Sequence, residues 1–298
     1  NTSEGTGAES KDSANDNSQG FEHLGLPDKI LQAVAKVGFT TPSPIQAETI
    51  PILMEGRDVV GLAQTGTGKT AAFALPVLSQ LDPQARHPQA LVLAPTRELA
   101  LQVADSFQSF AESLKGVEVL PIYGGQAYGI QLSGLRRGAQ VIVGTPGRVI
   151  DHLEKGSLDL SQLQFLVLDE ADEMLDLGFL PSIEAILEAL DGNAHQTMLF
   201  SATMPGAILN LSRQFMNKPV HIRAESEADE VTHETTRKVT FQAHRMDKVA
   251  VIAHILQAQG RGRSIIFTRT KRSAAQLADD LAERGFRVGA VHGDLGQK

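Results

Sequence analysis

Short apolar runs alternate with amphipathic stretches from Asp58 onward. The apolar runs fall at 58–62, 90–93, 117–122, 141–143, 165–168, 197–200 and 220–222, and most are built from Val, Ile and Leu. Between them, helical periodicity marks 98–114, 181–190 and 205–216. Continuous apolar strands separated by helices predict an α/β domain with a parallel sheet covered on both faces. In such sheets ligands bind beyond the carboxyl ends of the strands. Upstream, Pro27 in a first turn, followed by Ile30, Leu31, Val34 and Val37, predicts an amphipathic helix closed by Gly38. A proline-punctuated loop over 39–46 then leads into a second helix.

The ends of this pattern divide the chain. Residues 1–20 carry no aromatic or branched aliphatic side chain, so they cannot bury enough surface to offset ordering and are expected to form a disordered tail. Residues 21–223 form the first domain, and the polar, acidic stretch 224–238 reads as a linker. A second βα pattern occupies 239–298, with strands expected at 239–242, 264–267 and 288–291 and helices at 248–257 and 273–284. About sixty residues is short for a domain, and this one reads as partial.

Composition narrows the class. The content of 42% hydrophobic and 21% charged residues is that of an ordinary globular protein. With no Cys, neither a disulfide framework nor a cysteine zinc site is available, which suits a reducing cytoplasm. No apolar run approaches a membrane span and no signal-peptide pattern opens the chain. The net charge of −8 argues against coating nucleic acid by bulk charge and leaves a local basic groove open. The first residue is Asn rather than Met, so the chain reads as a fragment or a processed form.

Two stretches carry chemistry. Residues 63–70, Ala-Gln-Thr-Gly-Thr-Gly-Lys-Thr, stand between an apolar run and a helical stretch, the setting of a phosphate-binding loop. Gly66 and Gly68, with Thr65 and Thr67 beside them, let backbone N–H groups curl around a polyphosphate at a helix N-terminus. Lys69 is expected on the β/γ-phosphates and Thr70 on Mg²⁺. One position departs from G-x-x-x-x-G-K-[ST], because Ala63 stands in place of the first Gly. The second stretch, 165–172, is an apolar strand ending in Asp169-Glu170-Ala171-Asp172. Beside a phosphate loop, Asp169 suits a hydrated Mg²⁺ and Glu170 suits polarising an attacking water. An isolated Asp-Glu pair is usually a solvated loop, so the pairing with Lys69 gives it meaning.

These residues spell D-E-A-D, and the chain resembles the DEAD-box ATP-dependent RNA helicases, most of all the bacterial cold-shock type, over essentially all of 21–298. Ala63 is itself similar to that family's A-x-T-G-x-G-K-T version. The resemblance implies two RecA-like domains, ATP and Mg²⁺ as cofactors, RNA as partner and no membrane association. It implies further roles by position. Residues 38–46 resemble the Q motif, with Phe39 inside it and Phe21 upstream, so Gln46 would read the adenine edge while Phe21 stacks on the ring. Pro95-Thr96-Arg97, Gly124-Gly125 and Thr145 to Arg148 resemble RNA-contacting motifs. Ser201-Ala202-Thr203, together with Asp172, resembles the link between ATP state and strand separation. Residues 265–270 and 291–294 resemble later motifs, with His292 as a structural histidine. The family pattern continues to arginine-rich motifs beyond Lys298, so this chain is expected to bind nucleotide with negligible RNA-stimulated turnover. A DNA-directed helicase or translocase, or an ATP-gated RNA clamp, shares most of these features.

Overall fold

The computed structural model describes residues 20–223, 239–244, 246–258 and 262–292. Apart from Gly20, the expected tail and the expected linker lie outside the described residues. The chain divides into two compact units, residues 1–231 and 232–298.

The first unit opens with a 3₁₀ turn, Phe21–Leu24, followed by α1 (Asp28–Val37) and α2 (Pro44–Met54). Seven strands then form one sheet: β1 (Val59–Leu62), β2 (Ala90–Leu93), β3 (Val119–Ile122), β4 (Val141–Gly144), β5 (Phe165–Leu168), β6 (Gln196–Ser201) and β7 (Val220–Arg223). Every pairing is parallel, in the order β3-β4-β2-β5-β6-β1-β7. The connecting helices are α3 (Lys69–Gln80), α4 (Arg97–Ala111), α5 (Tyr128–Arg137), α6 (Pro146–Glu154), α7 (Ala171–Asp176), α8 (Leu180–Ala189) and α9 (Gly206–Phe215). The strands match the apolar runs of the sequence within two residues at each end. Asp58 falls just outside β1, because its carboxylate accepts from Thr197 N at 2.9 Å and Asn217 N at 2.7 Å.

Strand periodicity sends alternate side chains to two cores. Val59, Ala90, Val92, Val141, Val143, Phe165, Val167, Met198 and Phe200 face one layer with α1–α4. Val60, Leu91, Leu93, Ile142, Leu166, Leu168 and Leu199 face the other, with α6, α8 and α9. Burial on both faces explains why the strands read as continuous apolar runs rather than as polar–apolar alternation.

The carboxyl ends of six adjacent strands lie along one edge, and each precedes a segment the sequence singled out. From β3 across to β1 these segments start at Gly124, Thr145, Ala94, Asp169, Ser201 and Ala63. Backbone hydrogen bonds level this edge: Asp169 N donates to Leu93 O at 2.9 Å, Ala94 N to Gly144 O at 2.9 Å and Ala63 N to Ser201 O at 3.0 Å.

In the second unit the two expected helices form, at Lys248–Gln257 and Lys271–Glu283. Thr270 caps the latter, its Oγ1 accepting from Ser273 N at 3.1 Å. The three expected strands do not: the described residues of 239–242, 264–267 and 288–291 are irregular and belong to no sheet. Ile265, Phe267 and Val291 are 82%, 92% and 93% exposed. An apolar run becomes a strand only when neighbouring strands take its backbone N–H and C=O groups, and here none does. Of the residues resembling later motifs, 293 and 294 lie outside the described residues.

Candidate functional site

The phosphate loop leaves β1 and enters α3 at Lys69. Gly66 and Gly68 both sit at φ +86°, in the left-handed region that admits glycine without a steric penalty. A Cβ at Gly68 would also come within 2.4 Å of Gln46 Nε2 and displace that amide. Thr67 Oγ1 donates back to Gln64 O at 2.8 Å and tightens the turn. Gln64, Thr65 and Gly66 are exposed, whereas Lys69 is 5% exposed.

Lys69 Nζ lies 2.6 Å from Glu170 Oε1 and 3.6 Å from Asp169 Oδ1, with all three residues buried. Thr65 Oγ1 donates to the same Glu170 oxygen at 3.3 Å. The loop after β1 and the acidic end of β5 therefore close on each other through a strand of separation, since β6 lies between them. Burial pushes the Asp169 carboxyl up to about 6, opposed by the Lys69 ammonium and reinforced by the Glu170 charge. Glu170 adopts φ 50°, ψ 51°, an uncommon backbone for a residue with a side chain. Such a conformation persists where surrounding contacts over-determine it.

Asp172 joins β5 to β6. Its N–H donates to Ser201 Oγ at 3.2 Å, and its Oδ2 accepts from Thr203 N at 3.0 Å and Thr203 Oγ1 at 2.8 Å. Partial burial raises the Asp172 carboxyl, but hydrogen bonds from Thr203, Ser201 and the Glu173 N–H together outweigh it and hold it below its ordinary value. The three residues assigned to coupling are thus brought together.

Gln46 is engaged within the chain. Its Oε1 accepts from Ser43 N at 2.9 Å, closing the first turn of α2, and its Nε2 donates to Gly68 O at 3.1 Å. Both halves of the amide are engaged within the chain, and Gln46 is 4% exposed. The amide latches α2 onto the phosphate loop. Nearby, Ser43 Oγ is shielded and has no hydrogen-bond partner among the described residues. Phe21 is 3% exposed and stacks on Phe39 with ring centres 6.4 Å apart. Of that pair Phe39 is the open member, at 39% exposure, and it also meets Phe110.

The other half of the edge, at β2, β4 and β3, carries the residues assigned to RNA. Pro95 is buried, and Thr96 caps α4 by accepting from Leu99 N at 3.2 Å, so these two serve the fold locally. Arg97 is exposed and lies over the Tyr123 ring, 5.1 Å from its centre. Gly125 is exposed at φ +88°. Thr145 N donates to Ile122 O at 3.0 Å. Arg148 Nη1 donates to Gln126 O at 3.3 Å and Gln131 Oε1 at 3.1 Å. Sequence reasoning passed over Tyr123, Gln131 and His152, which hold this half together. Neutral polar residues inside helical stretches carry no motif signal, and only the sheet order brings them to one place.

A parallel sheet with a lysine-bearing phosphate loop on one strand and buried carboxylates two strands away defines a nucleoside-triphosphate-binding domain of the P-loop class. The family model for the DEAD/DEAH box helicase matches residues 43–211, and the chain belongs to that family. It is 49% identical over 277 residues to an ATP-dependent RNA helicase DeaD from Klebsiella pneumoniae, covering 93% of this chain and 43% of that one. A relative of the same name from Mycobacterium tuberculosis is 49% identical over 277 residues, covering 93% and 48%. The chain thus spans a little under half the length of these relatives. Among solved structures, a DEAD box protein from the hyperthermophile Methanococcus jannaschii is similar with a TM-score of 0.67 and 37% identity, covering 93% of this chain and 74% of that one.

Proposed function

We propose that this chain is the nucleotide-binding part of an RNA-dependent ATPase that remodels short RNA duplexes, and that it works in the cytoplasm. The observation that carries the reading is the Lys69–Glu170–Asp169 cluster, set on the same sheet edge as Arg97, Gly125 and Arg148. A buried ammonium locked to two carboxylates is a poor structural choice, because desolvation consumes most of the attraction. It makes sense as a resting state in which a polyphosphate displaces the carboxylates from Lys69. The donor set fits Mg²⁺, with the Asp169 carboxylate and the Thr70 hydroxyl as oxygen ligands. Bound there, Mg²⁺ supplies charge neutralisation on the phosphates. Glu170, released from Lys69, is left to orient and polarise the attacking water. Exposed donors on the β2–β4–β3 half suit phosphate and sugar contacts, which carry little sequence preference.

The test is ATP turnover by the whole protein with and without single-stranded RNA, repeated with DNA of the same sequence. RNA should stimulate and DNA should not. Equal stimulation by DNA would reassign the partner, and no stimulation by either would overturn the reading.

Gln46 gives a second expectation. For its amide to meet the adenine edge it must exchange the contact to Gly68 O for the base, so base recognition and the setting of the phosphate loop move together. ATP should bind roughly tenfold more tightly than GTP, since a mispaired amide costs about 1–3 kcal/mol. In Gln46→Ala the two affinities should converge, as read by calorimetric titration. Equal ATP and GTP affinity in the parent chain would remove the base-reading role and leave only the latch.

A further inference from the structure

Three pieces of the proposed RNA face, distant in sequence, are joined by groups that no motif marks. Arg97 rests over Tyr123, and Tyr123 O accepts from Gln131 Nε2 at 2.9 Å. The same Nε2 donates to Gln126 Oε1 at 2.9 Å, so the amide grips the chain on both sides of Gly124-Gly125. Its other half, Oε1, takes Arg148 Nη1 at 3.1 Å and His152 Nε2 at 2.8 Å. Gln131 is fully buried and all four hydrogen-bonding positions of its amide are used.

The network fixes the tautomer of His152. Gln131 Oε1 can only accept, so His152 Nε2 carries the proton, and the Nδ1 of the neutral ring takes the single Ser157 hydroxyl proton at 2.7 Å in preference to the longer 3.2 Å contact from that hydroxyl to His152 O. The imidazole is fully buried and stacked flat on Tyr128, with ring centres 4.3 Å apart and planes 11° from parallel. Lys155 Nζ stands 4.3 Å from the Tyr128 ring centre and Arg148 5.5 Å. Burial, then the Arg148 charge, holds the histidine below its ordinary value, with Lys155 acting the same way and Asp151 opposing. The surroundings therefore keep the ring neutral, as a donor to Gln131.

We propose that His152 and Gln131 are positioning residues that preset Arg148 and the Gly125 loop for the backbone of single-stranded RNA. The inference rests on the reading of Arg97, Gly125 and Arg148 as RNA contacts. Both hydrogen bonds of Arg148 among the described residues leave from Nη1, so Nε and Nη2 of the planar fork remain to donate to a phosphate. An arginine held in place before binding loses less rotamer freedom on binding. The donor on His152 maintains this arrangement at one remove, through the orientation of the Gln131 amide.

The experiment titrates a single-stranded oligouridylate into the 298-residue chain at low salt, read by fluorescence anisotropy, with ADP titration and thermal unfolding in parallel. His152→Phe keeps a flat ring against Tyr128 and offers no donor, so RNA affinity should fall roughly threefold to tenfold while ADP affinity stays unchanged. His152→Gln, whose amide N–H can serve Gln131, should recover the parent affinity to within about twofold. Ser157→Ala, at a half-buried position, should lose RNA affinity in the same direction by about twofold, and it carries the test if His152→Phe does not fold. Unchanged RNA affinity in both His152→Phe and Ser157→Ala overturns the proposal. So does a loss shared equally by His152→Gln, because that marks packing rather than the donor. Arg148→Ala separates the two levels. If it leaves RNA affinity intact, the RNA reading of this face fails and the positioning role falls with it. If it weakens binding while His152→Phe does not, only the positioning role is lost.

Discussion

Lys69→Ala should lower the affinity of the chain for ATP and ADP by about tenfold to a hundredfold, because a charge-assisted contact to the β/γ-phosphates is worth about 1.5–3 kcal/mol. The structure adds a second consequence. Lys69 is the counter-charge for Asp169 and Glu170, which are 5% and 7% exposed. Removing one partner from a buried ionic cluster costs about 3–5 kcal/mol, because it strands the charges that remain. Part of that cost is relieved by protonation. Asp169 already sits at about 6 with Lys69 lowering it, so loss of the ammonium moves it higher. A carboxyl whose folded value is raised holds its proton better in the folded state, so its contribution is present at low pH and lost as pH rises through the folded value. The stability deficit of Lys69→Ala should therefore be largest above the variant's own, higher value, shrink as pH falls from there toward about 6, and level off below it, where the parent's Asp169 takes up its proton as well. Nucleotide titration and thermal unfolding across pH check both parts. A variant that binds ATP at the parent affinity removes Lys69 from the site, and a deficit that grows on acidification contradicts the buried-pair account.

The first unit was legible in the sequence to the level of individual strands because its sheet is buried on both faces. Runs such as 90–93 and 165–168 have no other stable use than a parallel interior strand. The same reasoning failed for 264–267 and 288–291, which hold apolar residues as well. A strand is a relation between segments, and side-chain pattern alone does not supply its hydrogen-bond partner. Around the site, Lys69, Asp169 and Glu170 were legible because charge beside a glycine-rich turn leaves few alternatives. The state of Gln46 was not, since its partner Gly68 is 22 residues away and only folding brings the two together. Phe21 illustrates a different loss. Aromatic rings serve cores and ligands alike, and here Phe39 covers it. Gln131 and His152 leave no trace at all in a linear reading. Their importance comes from saturation of hydrogen bonds in a buried place, a property of three-dimensional neighbours alone.

Glu170→Gln should move binding and turnover in opposite directions. The carboxylate at Glu170 Oε1 is the closest partner of Lys69, at 2.6 Å, and accepts from Thr65 as well. A nucleotide entering the loop must break that ion pair before its phosphates reach Lys69. The neutral amide is nearly the same size and can adopt the same left-handed backbone at φ 50° at similar cost, so the fold should be retained. It competes far less for the ammonium. ATP affinity should therefore be kept or rise by a few-fold, consistent with the modest net worth of a buried ion pair. Turnover by the whole protein with RNA present should fall by about 10²–10⁴, the usual contribution of a positioned acid–base group. Asp169 keeps its carboxylate in this variant, so loss of a metal ligand cannot account for such a fall. The result that would count against the assignment is a parallel loss of affinity and turnover, which would mark Glu170 as a structural partner of Lys69. Unchanged turnover with raised affinity would assign the water-activating role to another residue and leave Glu170 only the gating of Lys69.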